Sequence, residues 1–165
     1  MNDAAYQALV TRFTGEISDL DLLVQRIQRA WSFAQTASTE QDMFLDSVAL
    51  GFHGFYSGLE SLFLQVAIHL DNNVPQGAGW HAALLIQMQA ETDVRPAVIV
   101  SEDVEFLDEL RRFRHVVRNV YAFNLLPDRI EPLVLGMNKQ WPNLRAELVA
   151  FAAFIKSLIQ ISDEL

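Results

Sequence analysis

The chain has 165 residues, 51% of them apolar, and a formal net charge of -9, so it can build one domain with a substantial core and is too acidic to coat nucleic acid by bulk electrostatics. A local basic cleft remains compatible with that balance. With no cysteine there is no disulfide framework and no thiolate chemistry, and the four histidines, His53, His69, His81 and His115, show no metal-ligand spacing, so neither a metal nor a cofactor is expected.

The N-terminal stretch MNDAAYQALV lacks the basic-then-apolar pattern of a secretion signal. Apolar runs such as Leu148 to Ile155 fall far short of the roughly 20 residues a membrane span needs, so the expectation is a soluble, cytoplasmic protein with no membrane partner. From Ala4 to about Ala37, Tyr6, Leu9, Val10, Phe13, Ile17, Leu20, Leu23, Val24, Ile27, Trp31 and Phe33 keep a helical period, which predicts a long first helix. Thr39 ahead of Glu40, Gln41 and Asp42 predicts a capped start for a second helix running to about Leu70. Its apolar band is wide enough for burial on more than one side. Glu60, set among Leu59, Leu62 and Phe63, should then be partly buried and paired. Two readings stay open for it: a structural partner for an arginine, or a member of a site.

The breaker cluster from Asp71 to Gly79 predicts a surface loop. A short helix follows from Trp80 to about Ala90, with Ala83, Leu84, Ile86 and Met88 inward, and Pro96 predicts extended chain from Thr92 to Val100. The stretch EDVEFLDELRRFRHVVRNVYAFN, from Glu102 to Asn124, dominates the chemistry. It gathers four of the twelve Lys/Arg residues, Arg111, Arg112, Arg114 and Arg118, within one short span. Phe106, Leu110, Phe113, Val117 and Val120 form an apolar stripe, Ser101 is a candidate N-cap, and acids crowd the first turns with arginines in the last, as the helix dipole favours. Arg114 and Arg118, four apart, repel by roughly 0.2–0.5 kcal/mol, so an anion should lie near them, either an internal carboxylate or a ligand. A last helical region from Asp128 to about Ile161 carries Leu133, Leu135, Met137, Trp141, Leu144, Leu148, Phe151, Phe154, Ile155 and Leu158 inward, with Pro142 expected to kink or restart it. No strand-like alternation appears. The expected architecture is therefore all-α, a single domain over residues 1–165 forming an up-and-down bundle of four main helices plus the short one.

The arginine-bearing segment resembles the signature of the HEPN superfamily, specifically the HepT-like ribonuclease toxins, whose motif is Arg, four residues, His, one residue, Tyr. Aligned on the tyrosine, Arg114 takes the arginine position, His115 the polar one after it, and Tyr121 the last. Phe55-Tyr56-Ser57-Gly58-Leu59-Glu60, Pro75-Gln76-Gly77-Ala78-Gly79-Trp80-His81 and Arg95-Pro96 extend the resemblance from about Phe44 to Phe154. The motif histidine is replaced by Asn119, which can hydrogen-bond a phosphate or a 2′-OH but cannot shuttle a proton.

The resemblance implies metal-independent RNA cleavage through a 2′,3′-cyclic phosphate. In that scheme Arg114, with Arg118 or Arg111, holds the scissile phosphate, His115 or Asn119 contacts the attacking 2′-OH, and Tyr121 shapes the pocket. His81 is a further candidate lining residue. The resemblance also implies a homodimer, and a minimal nucleotidyltransferase antitoxin that transfers AMP to Tyr121. On an ideal helix Asn119 sits about 140° and His115 about 100° from Arg114, which gives an independent reason for a second copy to complete the cleft. Two rivals compete with the ribonuclease: a catalytically inactive adaptor binding a nucleotide or a nucleotidyltransferase, and an acidic helical domain whose arginines only knit its core. Arginines saturated by carboxylates of their own subunit, or scattered over separate outer surfaces with no shared hollow, would argue against a groove that grips a phosphodiester; loss of fold in Arg114→Ala would favour the last.

Overall fold

The computed structural model describes residues 2–119 and 125–162, with the side chains at 116, 118, 119 and 160–162 outside that description. Among the described residues five α-helices and no strand follow in order: α1 (Asp3–Thr36), α2 (Gln41–His69), α3 (Trp80–Gln89), α4 (Ser101–Asn119) and α5 (Pro127–Ser162). The expected all-α bundle of four main helices and a short one is therefore observed.

In α1 the side chains of Leu9, Phe13, Ile17, Leu20, Val24, Ile27, Trp31 and Ala34 recur every three or four residues and are buried. Asn2 caps the helix, its side chain accepting from the Ala5 N–H at 3.0 Å. Pairings across the helices fix their directions. Arg12 meets Ser61 while Ile27 meets Gly51, so α1 and α2 are antiparallel. Phe13 meets Phe151 while Gln28 meets Asn138, so α1 and α5 are antiparallel too. Val100, just ahead of α4, meets Glu147, while Phe106 meets Gly136, which sets α4 against α5. At Gly51 a Cβ would overlap the buried Ile27 side chain, so glycine there sets how closely α1 approaches α2.

Several local expectations are corrected. Glu40, not Thr39, occupies the cap position of α2, and no side chain caps it. The turn is fastened instead by Gln41, whose Nε2 donates to the Ala34 carbonyl at 2.8 Å. Ser101 is the first residue of α4 rather than its cap, and its hydroxyl accepts from Gln89 at 2.6 Å. In α3 it is Leu84, Leu85 and Met88 that are buried, whereas Ile86 is 65% exposed, because this short helix docks by a single stripe. Leu135 of α5 is 60% exposed and Val134 takes the inward place. Residues 92–95 close a tight turn rather than extending, with Thr92 N–H donating to the Arg95 carbonyl at 2.9 Å. Pro142 lies inside one continuous α5. Its neighbours Trp141 and Leu144 are buried, and the Trp141 indole donates to Asp21 of α1 at 3.0 Å, so packing on α1 holds the helix across the missing backbone bond.

Candidate functional site

The inward line of α4 is Asp103, Phe106, Leu107, Leu110 and Arg114, which places two ionisable groups among apolar ones. Arg114 therefore lies on the packed face, beside the apolar stripe, and meets the carboxylate that α2 turns toward it. Glu60 is only 8% exposed. Arg114 donates to it twice, Nη1 to Oε2 at 2.9 Å and Nη2 to Oε1 at 3.3 Å, and the guanidinium lies over the Tyr56 ring with Cζ 4.7 Å from the centroid. Burial, with the Glu60 charge adding to it, pushes the Tyr56 hydroxyl well above the usual tyrosine range, so it stays neutral.

The third member comes from α3. Burial of Leu84, Leu85 and Met88 turns the position one helical turn earlier, His81, toward α2. Its Nδ1 lies in short contact with Glu60 Oε1 and 3.2 Å from Arg114 Nη2. A guanidinium can only donate and a carboxylate only accept, so the tighter contact decides the tautomer: Nδ1–H donates to Glu60, and Nε2 is the nitrogen with a lone pair in the neutral ring. Trp80 stacks on the imidazole at a centroid distance of 3.7 Å.

The placement of α3 depends on residues that the sequence did not single out for this role. Arg95 is 3% exposed and makes a fork on Asp71, Nε to Oδ1 at 2.6 Å and Nη2 to Oδ2 at 2.8 Å. Its remaining donors reach the carbonyls of Ala90, Pro96 and Gln87, each at 3.0 Å. Gln87 of α3 also donates to Asp71, at 2.6 Å, and to the Asn73 carbonyl, at 2.9 Å. The loop after α2 is thus only partly a surface loop, since the Asp71 side chain is buried in this network. The available signal was Asp71 at the head of the breaker cluster and Arg95 ahead of Pro96, two charges flanking one short helix.

Arg111 donates from Nε to Asp108 Oδ1 at 2.7 Å, and Arg112 pairs with Oδ2 of the same carboxylate. Burial pushes the Asp108 carboxyl up, but its bonds and charges from Arg111 and Arg112 outweigh this and hold it below the usual range. All three described arginines of the cluster therefore carry a carboxylate of their own chain, against the expectation that they stand ready for a phosphodiester. Arg111 and Arg114 share a hollow, whereas Arg112 lines a separate recess with Asp108 and Glu109. His81, Arg111, Arg114 and His115 line one hollow of about 100 Å³. That is room for a few waters or a phosphoryl group. The four residues that line it come from one subunit, His81 from α3 and Arg111, Arg114 and His115 from α4. The side chains of Arg118 and Asn119, and all of Tyr121, lie outside the described residues.

A second pair of ionisable groups sits at the other end of α4. The Asp103 carboxyl is buried beside Glu147 of α5, Asp103 Oδ2 meets no hydrogen-bond donor in the ionised state, and the Val100 N–H donates to Glu147 Oε2 at 3.3 Å. Burial and the neighbouring Asp103 push Glu147 up to about 7, and burial also raises Asp103. One proton shared between the two carboxyls satisfies both. Pro96 to Val100 and Phe151 form an apolar recess of about 200 Å³ against Glu147.

A family model described as HepT-like protein matches residues 47–155, a span that contains Glu60, His81, Arg95, Arg111, Arg114 and His115. No curated protein and no solved structure matches the chain.

Proposed function

The chain belongs to the HepT-like family of the HEPN superfamily, and from that premise we propose that it is a toxin-antitoxin-type protein that binds an RNA phosphate in the hollow between α3 and α4. In this reading it cleaves the strand with its own side chains, by attack of the 2′-OH. The observation that carries the proposal is the convergence of two histidines and two guanidinium groups on one phosphoryl-sized recess.

The internal carboxylates change the division of labour. Arg114 keeps three of its five N–H groups beyond the two that Glu60 accepts, so it positions the site and can still donate to a phosphate oxygen. Arg111 is the more available clamp, because Asp108 keeps Arg112 as a partner when Arg111 turns to a ligand. Three guanidiniums against Glu60 and Asp108 leave one net positive charge, so binding should be modest and salt-sensitive. His115 completes the anion side of the hollow. Arg118, Asn119 and Tyr121 are proposed to take part as well, Tyr121 as the AMP acceptor for a minimal nucleotidyltransferase antitoxin, in a homodimer.

Asparagine at position 119, which cannot exchange a proton, favours a second reading, an adaptor that binds a nucleotide or nucleotidyltransferase without cleaving. A 5′-labelled oligoribonucleotide pool incubated with the purified protein separates the two. Wild-type cleavage removes the adaptor; cleavage only after Asn119→His supports it. RNA retention that neither weakens with salt nor drops in Arg111→Ala would remove the phosphate site.

A further inference from the structure

We propose that His81 is the proton-transfer residue of this site, the base that takes the 2′-OH proton. The inference rests on the RNA-cleaving reading and adds to it a named group, since asparagine at position 119 cannot exchange a proton and a neutral 2′-OH is a poor nucleophile.

Three observations meet at this ring. Nδ1–H is held by a buried carboxylate, which fixes the tautomer and leaves the Nε2 lone pair as the only basic position of the neutral imidazole. Trp80 stacks on the ring, and the Arg95–Asp71–Gln87 network anchors the helix that carries it, so the ring is pre-oriented. The side chain is 31% exposed and lines the same hollow as Arg111, so a phosphodiester seated there reaches it. A histidine present only to neutralise Glu60 would be redundant, because Arg114 already does so with two hydrogen bonds. Among the described residues, Glu60 from α2 and Arg111, Arg114 and His115 from α4 are the charged and titratable groups that contact it or line its hollow.

In the step, the 2′-oxygen forms a bond to phosphorus as its proton passes to His81 Nε2. The bond from phosphorus to the 5′-oxygen breaks, and that oxygen leaves with a proton from water. The products are a 2′,3′-cyclic phosphate and a 5′-hydroxyl, and His81 returns its proton to solvent.

His81→Asn isolates the claim, because the asparagine amide can donate to Glu60 from the place of Nδ1 while nothing replaces Nε2. Cleavage of a 5′-labelled oligoribonucleotide is followed from pH 5 to 9 for wild type and variant, with RNA binding and Tm measured alongside. The expected result is a loss of roughly 10²–10⁴-fold in cleavage with binding retained, and disappearance of the limb on which the wild-type rate rises with pH. His81→Ala should regain part of its rate on addition of free imidazole, a rescue that a structural role would not give and that covers the case of a misfolded asparagine variant. A cleaving wild type whose His81→Asn form keeps the rate and the rising limb overturns the assignment while leaving the ribonuclease intact. A wild type that binds RNA without cutting it overturns the assignment and leaves the adaptor; one that does neither overturns both.

Discussion

Glu60 is a single acid in an apolar helix, and its environment decides what the neighbouring residues can do. Its partner Arg114 is about as buried, so removing either leaves a charge in a low-dielectric setting. Arg114→Ala is expected to cost about 3–5 kcal/mol in urea unfolding. Replacing both ends, Glu60→Leu with Arg114→Met, should be more stable than either single change, since no lone charge then remains. A double variant as unstable as the sum of the singles would show that the pair does not act as a unit. Loss of RNA cleavage in Arg114→Ala alone is thus no sign of a catalytic arginine.

At the level of elements, the seam between α4 and α5 is where pH should act. The Asp103–Glu147 pair holds a proton in the folded state that separated carboxyls would release, so both groups titrate higher when folded than unfolded. Their contribution is fully present below the ordinary carboxylate range and is lost as pH rises through about 7, where Glu147 ionises against Asp103. Tm should therefore fall between pH 5.5 and pH 8. Glu147→Gln, which mimics the protonated acid and can donate to Asp103, should flatten that fall, as thermal melts at the two pH values will reveal. An equal drop in the variant would place the pH dependence elsewhere. The α3 docking stripe teaches a related lesson: apolar residues Ala83 and Ile86 fitted a helical pattern, but a helix of ten residues can bury one face only, and the face with Leu84, Leu85 and Met88 is also the one that delivers His81.

For the whole molecule, the family match begins at residue 47 and so leaves out α1, yet α1 covers both α2 and α5 with a continuous row from Leu9 to Ala34. Stripped of residues 1–37, the chain would expose Phe151, which packs on Phe13, and the strip of α2 at Gly51, Gly54 and Gly58 that Ile27, Leu23 and Leu20 cover. It should then lose cooperative unfolding by circular dichroism and bind a hydrophobic dye; a sharp melt in that fragment would show a core that closes without α1. The helix count, their approximate spans, the burial of Glu60 and its choice of an arginine partner were all legible in the sequence, because each follows from the 3.6-residue period and the cost of an unpaired buried charge. Which arginine, which histidine and which carboxylate meet was not legible. Arg114 and His81 are separated by 33 residues, and Asp71 from Arg95 by 24, so their contacts depend on how α3 is rotated against α2 and α4. That rotation is settled by side-chain packing between helices, which no periodicity within one helix encodes.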